Sequence, residues 1–350
     1  MKKKLLAVGV SMIMAATVLA GCGSGTKEAA VTTAAETAVG TTAADTKAES
    51  GAGETTEAAA DSGKAMEGKL GIIVLEADHG WLAGVSYYAE QKCKELGIDY
   101  QIYTSGNVND QASQIEEAIA EGCAAIVLEP HTDEVSVAAQ RIVDADIPLI
   151  LFDRTVTGDY DAYVAGDNPG IGTESAKVIG EKLEGKGNVV VLNVPSSGVV
   201  STDRVDAFKA EMAASYPEIK LIDITADDFT QENGLKTASD ALVANPQIDA
   251  IFSIDDESSL GILQAIKDAG RTDIQMLSGC GGCQAYFNKI NSETDVSLFT
   301  ATYSPMMIQD AIATAIDVVN GKTVEKDIII PPTIVNKDNV ADYLDDTSPY

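Results

Sequence analysis

The chain has 350 residues, with 24 Lys and Arg against 54 Asp and Glu, for a formal net charge of −30. Phosphate backbones need clustered Lys and Arg, so this balance excludes nucleic acid as a partner and is explained by solubility. Five cysteines in a chain of this length are too few for a disulfide scaffold, while the length suffices for two domains with real cores.

Met1-Lys2-Lys3-Lys4 gives a positive start, and Leu5 to Val18 is an apolar run too short to span a bilayer comfortably. Small residues then precede a cysteine, as at an export-signal cleavage site. Leu19-Ala20-Gly21-Cys22 resembles the lipobox of bacterial lipoproteins. That resemblance implies a signal over 1–21 and a lipidated Cys22, palmitate included. It further implies attachment at the extracytoplasmic face of the cell membrane without a transmembrane helix. The plain alternative is an ordinary secretory signal with an incidental cysteine. Residues 23–67 are almost all Ala, Thr, Gly, Ser and acids, with Val31, Val39 and Met66 the only larger apolar side chains. Such a stretch buries too little to offset its ordering entropy, so 22–67 reads as a lipidated Cys followed by a disordered linker.

From Lys69 the texture changes. Apolar runs at Leu70–Leu75, Tyr100–Tyr103, Ala125–Leu128, Pro148–Phe152 and Ala162–Ala165 read as strands. They alternate with helical patterns at Trp81–Leu96, Gln111–Glu121 and Val135–Ala145. Further strands fall near Val189–Leu192, Leu221–Ile224, Ala250–Ile254 and Met276–Ser278, with helices around Gly172–Leu183, Arg204–Ala214, Gly234–Val243 and Leu260–Ala269. Continuous apolar strands alternating with amphipathic helices predict an α/β fold of parallel sheets covered on both faces. About ten strands exceed what one such sheet usually holds, so two Rossmann-like lobes are expected.

Right-handed crossovers place functional loops at the carboxyl ends of strands. Those ends carry Glu76-Ala77-Asp78-His79-Gly80-Trp81, Glu129-Pro130-His131, Asp153-Arg154, Asp227-Asp228-Phe229 and Asp255-Asp256-Glu257, and a helix start bears Asp203-Arg204. The only Trp and both histidines fall in this set, a concentration of hydrogen-bonding and aromatic groups suited to a small polar ligand.

The phasing of Phe152-Asp153-Arg154, Gly166-Asp167-Asn168, Arg204-Val205-Asp206-Ala207-Phe208 and Asp255-Asp256-Glu257 resembles type I periplasmic binding proteins. Within them it is closest to the ribose- and galactose-type sugar receptors of ABC importers, over residues 69 to about 335. The resemblance implies two lobes, 68–166 plus 303–330 and 167–302 plus 331–345, joined by three crossings with the ligand cleft between them. It implies Trp81 and Phe229 as stacking faces for a sugar, with Asp153, Arg154, Arg204 and Asp255 meeting hydroxyls. His79 falls where the family often has Asn, and Glu129 and Tyr303 fall on further lining positions. Against these stand plainer roles: Asp153–Arg154 as an ion pair, Arg204 as a surface cap, Trp81 as helix core beside Val85 and Tyr88, and Asp256 and Glu257 as a helix cap and dipole partners.

The sequence departs from the family at Gly279-Cys280-Gly281-Gly282-Cys283, where sugar receptors commonly present an Asp and this chain has Cys280. A thiol is a weak hydrogen-bonding group, which puts a simple ribose or glucose ligand in doubt. The Cys280–Cys283 pair reads as a redox motif or as a glycine-rich loop with two thiols, open to a small-ring disulfide. Zinc is not expected, since the second pair of ligands is missing. The expectation is therefore a monomeric receptor without cofactor, metal or catalytic residue. It captures a sugar or polyol by lobe closure and passes it to the transmembrane subunits of an ABC permease. The rival readings are a sensory ligand-binding subunit and a cleft enzyme using paired acids such as Asp255 and Asp256.

Overall fold

The computed structural model describes residues 66–77 and 80–350. The signal, Cys22, the linker up to residue 65 and His79 lie outside the described residues. Met66 departs from the linker expectation. It is buried at 5% exposure against the core, because it is an apolar side chain directly preceding the first strand.

The first half of the fold runs β1 (Lys69–Leu75), α1 (Gly80–Leu96), β2 (Asp99–Ser105), α2 (Val108–Ala120), β3 (Ala125–Leu128), α3 (Ser136–Asp144), β4 (Leu149–Phe152) and β5 (Ala162–Gly166). The chain then continues through α4 (Asn168–Lys182), β6 (Lys186–Asn193), α5 (Val199–Ser215), β7 (Glu218–Thr225), α6 (Gln231–Ala244), β8 (Ala250–Phe252), α7 (Asp256–Asp268), β9 (Met276–Gly281), α8 (Gln284–Ser292) and β10 (Ser297–Thr302). It closes with α9 (Ile308–Val319), β11 (Asp327–Ile330) and β12 (Ile334–Asn336).

Two six-stranded sheets result, ordered β11-β5-β4-β3-β1-β2 and β12-β10-β9-β8-β6-β7. The first is wholly parallel, and the second is parallel except for β12, which pairs antiparallel with β10. This is the two-lobed α/β architecture read from the sequence. Central strands such as β3 and β4 are buried at every residue, as expected when helices cover both faces, whereas the edge strand β2 alternates. Strand order reverses between β1 and β3 in one sheet and between β6 and β8 in the other, and open α/β sheets place ligand crevices at such reversals.

The chain passes between the sheets after β5, after β10, and between β11 and β12. Two boundaries beside the cavity differ from the sequence reading. Helix α5 begins at Val199, so Arg204 sits inside it rather than opening it. Gly198 occupies the N-cap with φ 59, and Ser201 Oγ receives the Val194 N–H. Strand β9 continues through Cys280 to Gly281, paired in register with β10, so the expected glycine-rich loop begins only at Gly282. Elements α8, α9 and β10 to β12 were not distinguished in the sequence.

Candidate functional site

Between the two sheets lies a cavity of about 410 Å³. From the first sheet Trp81, Asp153 and Arg154 line it, and from the second Arg204, Phe229, Asp255 and Cys280, with Tyr303 at the crossing after β10. Eight of the ten expected site residues are thus brought together. Glu129 is not. It is fully buried below the cavity, because its carboxylate turns to the end of β1, where Oε2 accepts the Leu75 N–H at 3.1 Å. His79 lies outside the described residues.

Tyr303 joins the two walls. Its N–H donates to Gly281 O at 2.8 Å, and its carbonyl accepts the Trp81 indole N–H at 2.8 Å. Its hydroxyl donates to Asp153 Oδ1, and its ring lies under the Arg204 guanidinium, 4.9 Å from the centroid. A cation on an aromatic face gains attraction when water is kept out. Trp81 stacks on Phe152 with centroids 6.2 Å apart and planes 6° apart, which fixes its orientation at the start of α1.

Arg204 is 5% exposed. Its Nε donates to Asn168 Oδ1 at 2.8 Å and Nη1 to Ile254 O at 2.7 Å. A guanidinium has five N–H donors, so these bonds aim the group and leave donors for an occupant. Gly172 on α4 makes the placement possible, because any side chain there would collide with the Arg204 carbonyl. The surface-cap reading of Arg204 is thereby set aside.

Asp255 is the N-cap of α7, accepting the Ser258 N–H at 2.9 Å. Burial raises its pKa to about 8, opposed by that N–H and by Arg204. Asp256 does not line the cavity. Its Oδ1 accepts the Thr300 hydroxyl at 2.7 Å, and its Oδ2 accepts the N–H groups of Gly282 and Cys283 at 2.6 and 2.8 Å. It therefore staples α7 to β10 and to the turn before α8, with a pKa raised by burial to about 6. Glu257 sits in the first turn of α7, as the helix-dipole reading expects, and also reaches the cavity wall.

Asp153 has φ 62, and Arg154 N–H donates to Phe152 O at 2.6 Å, closing a three-residue turn at the end of β4. A non-glycine residue in this region is strained, and such strain concentrates at functional sites. Arg154 pairs with Asp153 at 3.4 Å and donates to His131 O at 3.1 Å. Glu129 sits close enough to feel the Asp153 charge. Burial first, then that charge, raises its pKa to about 8, and its Oε1 has no partner.

Cys280 and Cys283 are both free and buried, and burial pushes both thiols up. The small-ring disulfide that the sequence left open is not formed: Cys280 is held in β9 with Sγ donating to Ser253 O at 3.4 Å. Among the described residues no cluster of His, Cys, Asp or Glu is arranged to hold a metal ion. Ser196, Ser197 and Tyr350 also line the cavity and were missed. The serines follow β6, so the strand-end rule would have found them had it been applied to that strand. Tyr350 carries no local signal.

The profile of the periplasmic binding protein domain matches residues 70–323. A xylitol-binding protein of Mycolicibacterium smegmatis is 28% identical over 264 residues, 73% of either chain. The ribose import binding protein of Bacillus subtilis is 25% identical over 274 residues, 77% of this chain and 88% of that one. Among solved structures, an ABC transporter periplasmic solute binding protein from Actinobacillus succinogenes with bound D-allose superposes with a TM-score of 0.71 at 23% identity. It covers 79% of this chain and 100% of that chain.

Proposed function

The chain belongs to the periplasmic binding protein family, and from that premise we propose that it captures a sugar or related polyol outside the cytoplasm and delivers it to an ABC permease. It works by binding and lobe closure, without chemistry on the ligand, as befits relatives named for binding. The observation that carries this reading is the composition of the cavity. Planar groups able to serve two hydroxyls, Asp153, Asp255 and Arg204, stand beside the aromatic faces of Trp81 and Phe229. The ligand is polyhydroxylated, with or without an amino group, and Cys280 marks a side of it that needs no strong acceptor.

The lobes 68–166 plus 303–330 and 167–302 plus 331–345 would move as the two bodies. Contacts from both to one ligand stabilise the closed state over the open one. The receptor acts as a monomer, tethered through lipid on Cys22 to the outer face of the cell membrane, where the permease subunits lie. Titration calorimetry over pentoses, hexoses, cyclitols and amino sugars tests the binding reading. One class should bind stoichiometrically and be recovered unchanged. Absence of binding across the panel, or a chemically altered ligand, would overturn it. Loss of membrane association in a Cys22→Ala chain tests the anchor separately.

A further inference from the structure

Residues 345–350 are bonded to both lobes, and Tyr350 at their end lines the cavity. On the second lobe, Gln284 of α8 holds them through Asp345 N–H to Gln284 Oε1 at 2.8 Å and Gln284 Nε2 to Tyr343 O at 3.0 Å. On the first lobe, the Tyr88 hydroxyl of α1 meets Ser348 Oγ at 2.6 Å, and that hydroxyl in turn donates to Tyr350 O at 2.6 Å. The Tyr87 hydroxyl reaches Thr347 O at 3.4 Å. The segment is thereby pinned at both ends and turns the Tyr350 side chain inward, to 8% exposure.

Three glycines form the slot that receives this ring. A Cβ on Gly80 would lie 3.3 Å from Tyr350 Cδ2, and one on Gly84 would lie 3.3 Å from its Cβ. On the opposite lobe, a side chain at Gly281 would collide with the Tyr350 hydroxyl. The ring therefore spans from α1 to β9. It lines the cavity of about 410 Å³ on one side and a second cavity of about 310 Å³ on the other, with Glu257 shared between the two. Tyr350 and Glu257 are the residues common to both linings.

We propose that Tyr350 is a ligand-site residue that sets the permitted length of the ligand, holding the site to one sugar ring by walling off the second cavity. This rests on the carbohydrate reading of the site. Small-molecule sites run to roughly 300–1,000 Å³, so the first cavity alone suits a small ligand, while the two joined would admit a ring with a bulky substituent. An aromatic side chain does this well, since it has few rotatable bonds and Gly80, Gly84 and Gly281 leave it a close-fitting slot.

The test uses the full chain, the monosaccharide or polyol it binds best, and the singly O-benzylated isomers of that compound, one for each hydroxyl. Calorimetry gives the affinity ratio of parent to isomer for wild type, Tyr350→Ala, Tyr350→Phe and Ser348→Ala. In Tyr350→Ala at least one isomer should gain about tenfold relative to the parent compound. Ser348→Ala unpins the segment and lies on the lining of the second cavity but not of the first, and should shift the same isomer in the same direction by a smaller factor. Tyr350→Phe should keep the wild-type ratios. Wild-type binding of the parent with no isomer gaining more than threefold in either alanine variant would overturn the partition alone. If Tyr350→Ala does not fold, Ser348→Ala decides by the same criterion. Wild type binding nothing in the panel would overturn the carbohydrate reading and the partition with it.

Discussion

In the second lobe the cavity wall is set before a ligand arrives. Arg204 is nearly buried and directed by Asn168 and Ile254, Asp255 is locked as a helix cap, and Asp256 ties three donors together behind them. In the first lobe the Arg154 side chain is 41% exposed, and Asp153 stands on a strained turn, its backbone tied to the Tyr163 hydroxyl but its carboxylate held only by the Tyr303 hydroxyl and a long ion pair. The difference teaches where selectivity and motion reside. A preorganised wall loses little entropy on binding and supplies affinity, whereas a wall with exposed, strained groups can readjust as the lobes close.

The most direct way to break this comparison is Arg204→Ala. Removing the preorganised cation deletes charge-assisted hydrogen bonds of about 1.5–3 kcal/mol each, so affinity should fall a hundredfold or more. Circular dichroism should show the fold retained, because the α4–α5 packing at Gly172 involves backbone rather than the Arg204 side chain. Unchanged affinity in calorimetry would show that Arg204 does not meet the ligand. Asp256→Ala probes the support behind the wall. It strands the Gly282 and Cys283 N–H groups and the Thr300 hydroxyl, and should lower unfolding free energy in urea by about 3 kcal/mol.

The buried acids give a pH signature that sharpens the contrast. Glu129 and Asp255 are raised to about 8 and Asp256 to about 6, all above the ordinary carboxylate range. Between about pH 4 and 8 the native state therefore holds protons that the unfolded chain has released. Stability from these groups is complete below the ordinary carboxylate pKa and is lost as pH rises through 6 to 8. Thermal melting without ligand should thus fall from pH 6 to pH 8.5. Glu129→Gln, which keeps an acceptor for Leu75 N–H but cannot ionise, should make that fall shallower. An identical fall in the variant would show that Glu129 is not the titrating group.

The fold was legible because its cause is local. Runs such as Ile126-Val127-Leu128 and Leu149–Phe152 are apolar at every position, a pattern only a doubly covered parallel strand needs. Elements of mixed texture escaped, as with Ser297–Thr302, whose polar Thr300 is buried by a bond to Asp256 from a distant helix. The cavity was legible as far as strand ends define it, through Asp153, Arg154, Phe229 and Asp255. Glu129 misled because a strand-end position fixes where a residue starts and not where its side chain turns. Tyr350 was invisible, since its partners Gly80, Gly84 and Gly281 are far away in sequence and are read only as a shape.

The smallest expected effect comes from Asp153→Gly and bears on the first wall alone. Glycine adopts φ 62 without strain, so the turn at the end of β4 gains stability of about 1 kcal/mol. Against that, the Tyr303 hydroxyl loses its acceptor, a loss of similar size. Melting temperature near neutral pH should therefore hardly move, while affinity falls about tenfold, well short of the loss from Arg204→Ala. The variant also removes the charge that helps raise Glu129, so the fall in melting temperature between pH 6 and pH 8.5 should become shallower. If Asp153→Gly instead matched Arg204→Ala in affinity and left the pH profile unchanged, the first wall would be as firmly set as the second. The contrast between an adaptable and a fixed side of the cavity would then be lost.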